Sequence, residues 1–229
     1  MKQDKIVSAR DSASAEGSGL ETAKPRVSFY TQYGKRMFDL AFATLLLPLL
    51  LPIMLVIALG MAHKGKIIFG HRRVGRGGKE FTCYKFRTMI VGAEEYLENY
   101  FAKNSKAAAE WAETYKLKDD PRITRLGRVL RGTSLDELPQ LWNVIRGDMS
   151  FVGPRPVTRG ELVKYGEHTR AYLSVCPGIT GPWQVNDRGV GSFSNRVLQD
   201  ATYVASINFT WDAKIIAQTA LVPLKLSGQ

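Results

Sequence analysis

The stretch LAFATLLLPLLLPIMLVIALGMA, Leu40–Ala62, runs for 23 residues without a charge, and Thr44 is its only ordinary polar side chain. As a straight helix it would measure about 35 Å, enough to cross a hydrocarbon core of roughly 30 Å. A run of this length reads as a membrane segment rather than the core helix of a soluble domain. It is also too long, and too far from the first residue, for the apolar region of a secretory signal. Basic residues flank it on both sides, Lys35 and Arg36 before it and Lys64, Lys66, Arg72, Arg73 and Arg76 after it. Under the positive-inside rule both ends belong in the cytoplasm. Pro48 and Pro52 lie near its middle, where each removes a backbone donor and disfavours a straight helix. The residues from Leu40 to Leu51 make about 18 Å of helix, roughly half the core depth. A helix-break-helix hairpin that enters and returns on one side satisfies both observations. A single kinked span is the rival, because spanning helices tolerate proline.

Upstream, residues 1–34 are rich in Ser, Ala, Gly and charge, lack apolar periodicity and read as a mobile tail. Downstream, residues 65–229 read as a cytoplasmic domain, the membrane segment with its flanks occupying 35–64. Over all 229 residues, 32 Lys and Arg stand against 21 Asp and Glu, a formal charge of +11 with a pI of about 9.7, which predicts anionic partners. No nucleic-acid-binding module with base-reading side chains is recognisable, so that class of partner is set aside. Cys83 and Cys176 form neither a disulfide framework nor a CxxC. His63, His71 and His168 show no metal-ligand spacing, which argues against a zinc enzyme or a Ser-His-Asp triad.

Lys66–Gly70 and Phe81–Phe86 are β-prone runs around a Gly-rich basic connection and predict a hairpin. Residues 93–118, rich in Ala, Glu and Lys with an i,i+4 aromatic pair at Tyr96 and Tyr100, predict a helical insertion interrupted at Asn104 and Ser105. A helix over Arg122–Arg131 would gather Ile123, Leu126, Val129 and Leu130 on one face and Arg125, Arg128 and Arg131 on the other. Such a helix suits an anionic membrane surface or a phosphate, with Arg128 a candidate contact. Ser134-Leu135-Asp136-Glu137 matches a capping box, with Ser134 opening a helix and Glu137 reaching back. The same residues set two adjacent carboxylates among cations. A carboxylate can attack phosphorus, and a neighbour can hold Mg²⁺ against phosphates. Gly153-Pro154-Arg155-Pro156 is a rigid turn presenting one arginine suited to phosphate.

From KRMFDL at Lys35, through GHRRVG, YKFRTM, DDPRIT, LGRVLRGTSLDELPQLWNVIRGDMSFVGPRP and PGITGPWQVNDR, the chain resembles the bacterial sugar transferases that initiate glycoconjugate assembly. These are the monotopic polyprenyl-phosphate phosphoglycosyl transferases, and the likeness covers nearly everything but the N-terminal tail. The wording is most similar to the branch that starts exopolysaccharide synthesis, the undecaprenyl-phosphate galactosephosphotransferases. The resemblance implies an α/β, mainly helical protein of the inner membrane. Its re-entrant membrane helix breaks at Pro52, with Pro48 assisting, and a small cytoplasmic domain carries a short β-hairpin and interfacial amphipathic helices. Leu51 stands where relatives commonly have Ser.

The implied reaction passes a hexose-1-phosphate, galactose or glucose, from a UDP-sugar to undecaprenyl phosphate on the cytoplasmic face and releases UMP. An N-acetylated amino sugar, or a catalytically silent scaffold for polysaccharide assembly, is the alternative. By resemblance Asp136 is the nucleophile, Glu137 with Asp136 holds Mg²⁺, and Lys85, Arg155 and Arg188 handle the substrate phosphates or sugar. Downstream glycosyltransferases are expected partners. Asp187 replaces a usual Gly, and Cys176 stands where relatives often carry Arg.

Overall fold

A computed structural model describes residues 27–62, 65–114, 117–186 and 192–221. It is mainly helical, as expected, with two small sheets among the described residues. A turn of π-helix at Tyr30–Gly34 leads directly into α1, Lys35–Met61. Helical structure therefore begins inside the segment expected to be a mobile tail. The reason is tertiary: the Tyr30 hydroxyl donates to Asp212 Oδ2 at 2.6 Å. Residues 1–26 of that expected tail lie outside the described residues.

Helix α1 continues through both prolines, so the non-helical break expected at Pro52 and Pro48 is not present. Each proline removes one intrahelical bond, while the Leu-rich turns around the pair keep theirs, and Leu51 offers no hydroxyl to stabilise an opened turn. From Tyr30 to Met61 this is a helix long and apolar enough to cross a membrane. Its most apolar stretch has a mean hydropathy of 2.7 and is only 11% buried. Leu45, Leu49, Leu55, Val56 and Leu59 are exposed, which the core helix of a soluble protein would not allow.

The chain divides into two compact units, Met1–Leu46 with His71–Cys83 and Gln140–Gln229, and Leu47–Gly70 with Tyr84–Pro139. Helix α1 and the sheet made by β1 (Ile68–Val74) and β2 (Glu80–Phe86) each contribute to both. The hairpin is the expected one, shifted a few residues.

In the first unit, the start of α1 is tied down by its own polar residues. Lys35 Nζ donates to Asp212 Oδ2 at 2.6 Å and to the Tyr203 hydroxyl at 3.0 Å. Arg36 donates to the carbonyls of Val144 and Ile145 at the end of α5 (Gln140–Arg146), where a cation complements the helix dipole. Buried Asp39 accepts from Ser150 Oγ and the Phe151 N–H, both at 3.0 Å. These residues belong to β3 (Ser150–Val152), which pairs in parallel with β4 (Gly178–Thr180).

That pairing explains why GPRP and PGITG travel together. A Cβ on Gly178 would lie 2.1 Å from Gly153 N, so only glycine lets the two backbones approach. Helix α6 (Arg159–Val163) opens on a capping box, Thr158 to Glu161. Around it Val157, Tyr165, Tyr172 and Val197 form a core cluster with α7 (Thr169–Leu173) and α9 (Phe193–Ala205). Helices α8 (Pro182–Asn186) and α10 (Phe209–Leu221) complete the unit.

In the second unit, α2 (Ala93–Lys103) and α3 (Ser105–Thr114) form the insertion, divided at Asn104 as expected. Asn104 Oδ1 accepts from the Ala107 N–H and so opens α3. The Arg122 guanidinium lies over the Trp111 ring and pairs with Asp120, holding the insertion to the chain that enters α4 (Arg125–Thr133). Arg122 and Ile123 precede α4, because Thr124 is its N-cap. Its inward face carries Leu126 and Leu130, but Val129, expected there, is exposed. A Cβ on Gly127 would fall 2.0 Å from the Thr88 carbonyl oxygen, so α4 lies directly on the chain leaving β2.

Candidate active site

The expected capping box at Ser134 does not form. Ser134 is left-handed (φ 59), alone among the described non-glycine residues, and its side chain makes no cap hydrogen bond. Leu135–Glu137 is a single 3-10 turn. The left-handed residue ends α4 and reverses the chain, and it leaves the Glu137 carboxylate available to a remote partner.

That partner is Lys85 of β2, whose Nζ donates to Glu137 Oε1 at 2.5 Å and lies 3.9 Å from Asp136 Oδ2. Three residues singled out in the sequence thus converge. Asp136 is buried. Burial pushes its carboxyl above the ordinary carboxylate range, and Lys85 and Arg131 oppose the rise while Glu137 adds to it. Arg131 completes the group. It is exposed with Arg125 and Arg128 on the face opposite the apolar one, as periodicity predicts, and from there its Nε donates to Thr88 Oγ1 at 2.8 Å and its charge is felt at Asp136. Its place in the last turn of α4, five residues before the aspartate, was the available signal.

Leu135 and Leu138, on either side of the carboxylate pair, pack against the cluster of Ile57, Met61, Phe86 and Leu130. The last turns of the apolar helix and the carboxylates are therefore built on one core. A desolvated carboxylate held between two cations can act as a nucleophile toward a phosphate.

Of the remaining candidates, only Arg128 is described in the same unit as this cluster. Arg128 is exposed on α4, and among the described residues no hydrogen bond or ion pair ties it to the carboxylates. With Arg125 it forms the basic outer face expected of an interfacial helix. Arg155 belongs to the first unit, where its carbonyl accepts from Arg196 at 2.9 Å. Arg188 and Asp187 lie outside the described residues. Cys176 closes a contact to the Gly147 carbonyl.

No cluster of three or more metal-type ligands occurs among the described residues. Asp136 and Glu137 still fit Mg²⁺, which commonly takes one or two carboxylates and completes its shell with water and substrate phosphates.

An apolar helix is thus joined through one core to paired carboxylates and cations. The chain matches the bacterial sugar transferase family over residues 30–225 and belongs to it. It is 47% identical over 204 residues to a UDP-galactose-lipid carrier transferase of Erwinia amylovora, covering 86% of this chain and 42% of the relative. It is 44% identical over 199 residues to an undecaprenyl-phosphate galactose phosphotransferase of Salmonella typhimurium, with the same two coverages. The chain thus spans less than half the length of these two relatives. Against the exopolysaccharide production protein ExoY of Sinorhizobium fredii it is 45% identical over 188 residues, 81% of this chain and 83% of the relative.

Proposed function

We propose that the protein transfers a hexose-1-phosphate, galactose first among the candidates, from a UDP-sugar to undecaprenyl phosphate at the inner membrane, with its active site facing the cytoplasm. The observation that carries this reading is the Lys85, Asp136, Glu137 and Arg131 cluster built on the same core as the end of α1. A water-soluble nucleotide sugar and a lipid phosphate must meet near the headgroup plane, and a nucleophile packed beside a membrane helix is suited to that.

In the proposed cycle an Asp136 oxygen attacks the phosphorus that bears the sugar. The bond from that phosphorus to the bridging oxygen breaks, and UMP leaves with the bridging oxygen. An oxygen of the lipid phosphate then attacks the same phosphorus, the acyl-phosphate bond breaks, and the Asp136 carboxylate is restored. Lys85 and Arg131 favour the ionised form of Asp136 against its burial, and Lys85 fixes the direction of Glu137. Bound Mg²⁺, held by Glu137 with Asp136, would supply neutralising charge to the diphosphate. Downstream glycosyltransferases would consume the lipid-linked sugar.

Purified protein in detergent, given undecaprenyl phosphate, Mg²⁺ and a panel of UDP-sugars, is expected to release UMP with at least one of them. Asp136→Asn is expected to abolish both turnover and the trapped sugar-phosphate adduct while leaving the circular dichroism unchanged. Wild-type turnover in that variant would remove the nucleophile assignment.

We also read α1 as re-entrant. Polar elements follow both ends of the apolar run, and the β1/β2 hairpin, with charged residues such as Arg72, Arg73 and Glu80, belongs to both units. Lys35 and Arg36 before the apolar run and Lys66, Arg72 and Arg73 after it favour the cytoplasm for both of its ends. Two prolines one turn apart let an unbroken helix bend. Cysteines at Val27 and Lys79 should both be protected from a periplasmic thiol reagent in intact cells; labelling at Val27 alone would establish a single span.

A further inference from the structure

A cavity of about 220 Å³ lies in the second unit at the end of α1, lined by Met61, Met89, Ile90, Val91 and Leu126 with the polar Thr124 and one charged side chain, Arg87. Its apolar lining continues two features already described. Met61 and Leu126 also belong to the core under the carboxylate pair, and Met61 ends the helix whose exposed Leu55, Val56 and Leu59 face hydrocarbon in the re-entrant reading. At the rim Val91 is 73% exposed, an apolar side chain placed where a lipid chain would cover it. The cavity thus shares Met61 with the apolar helix and has the exposed Val91 in its lining.

The strand geometry relates this cavity to the nucleophile. The Arg87 N–H donates to the Ile67 carbonyl at 2.9 Å, so the ladder pairing of β2 extends one residue beyond Phe86. Lys85 and Arg87 are thus about 7 Å apart along an extended chain, with Phe86 of the core between them. Lys85 is the residue that meets both Asp136 and Glu137. A guanidinium in an apolar cavity, two residues from the cation at the nucleophile, matches an amphiphile whose anionic head must reach that nucleophile.

We propose that this cavity is the acceptor site, taking the first part of the polyprenyl chain, with Arg87 binding the lipid phosphate. The proposal rests on the transferase reading above and adds where the second substrate enters. A polyprenyl phosphate is preferred over a bulk anionic phospholipid because the cation is two residues from the lysine that holds the carboxylate pair rather than on the exposed basic face of α4.

The test is steady-state UMP release with each substrate varied in turn, together with the burst of UMP formed from UDP-sugar without acceptor. Arg87→Gln is expected to raise KM for undecaprenyl phosphate by about ten- to a hundredfold, the size of a lost charge-assisted hydrogen bond. KM for the UDP-sugar and the acceptor-free burst should stay at wild-type values. Arg87→Lys should recover part of the loss, and Ile90→Phe, which fills the cavity and keeps the cation, should raise the same KM. An unchanged acceptor KM in folded Arg87→Gln and Ile90→Phe overturns the proposal. So does an equal rise in the UDP-sugar KM, or weaker binding to phosphatidylglycerol vesicles with no change in acceptor KM. Wild-type protein that releases no UMP from any UDP-sugar overturns the transferase reading instead.

Discussion

Ser134-Leu-Asp-Glu137 and Thr158-Arg-Gly-Glu161 carry the same four-residue capping pattern, one in each unit of the molecule. At the second, Thr158 Oγ1 accepts from the Glu161 N–H at 3.2 Å, and Glu161 Oε2 accepts from the Thr158 N–H at 2.8 Å. Glu161 is engaged by its own helix and by Arg73 at 3.0 Å, and its carboxyl is held below the ordinary range by those bonds despite partial burial. At the first, the serine is left-handed, no reciprocal bond forms, and the glutamate is held by a lysine 52 positions away. Its neighbour Asp136 is pushed the opposite way, above the ordinary range. One pattern closes a helix end. The other keeps its carboxylates for something else and accepts a strained backbone and a buried charge to do so.

The comparison is sharpest in activity. Glu137→Gln is expected to lower UMP release by about 10²–10³-fold, the usual cost of one electrostatic contact at a reacting phosphate, with the thermal midpoint little changed. A stability loss with full activity in that variant would make Ser134–Glu137 an ordinary helix start after all.

Glu161→Ala should do the reverse. It should cost about 1 kcal/mol of stability by denaturant titration, mostly from the lost bond between the Thr158 N–H and the Glu161 carboxylate, with the part-buried Arg73 pair adding less and turnover per folded molecule retained.

The smallest effect is the pH dependence, and its sign separates the two carboxylates. Glu161, with a lowered folded pKa, contributes stability that is complete above its unfolded value and lost as pH falls through the folded one. Asp136, with a raised folded pKa, costs stability as pH rises through that value and the buried group ionises. Asp136→Asn should therefore raise the thermal midpoint at neutral pH and leave it unchanged below the ordinary carboxylate range. Glu161→Ala should lower the midpoint at neutral pH, with the loss shrinking in acid. Parallel curves for the two variants would mean that both carboxylates are simply structural.

Much of this was legible in the chain. The apolar run, the hairpin, the divided insertion and the carboxylate pair all depend on neighbours within a few residues, and periodicity or turn chemistry reports such neighbours directly. Lys85 was read from its motif, and the structure brings it to the carboxylates. Arg131 falls on the exposed face that periodicity predicts, but a helical wheel records direction around one axis and not that this side chain meets Thr88 and acts on Asp136. The parallel β3/β4 pair was missed, since two three-residue strands 28 positions apart have no alternation long enough to read.

Lys35 and Arg36 mark the same boundary. Their charge placed them beside a membrane segment, but only the fold shows them occupied by Asp212, Tyr203 and the end of α5. The sequence by itself determined that an uncharged run long enough for a bilayer precedes a basic domain of the bacterial sugar transferase family, because hydrophobic length and motif order are properties of the chain. The tertiary structure decided which of two identical capping patterns closes a helix and which presents its acids. That choice turns on Lys85, a residue no local pattern connects to Glu137, and on the cost of burying Asp136 beside it.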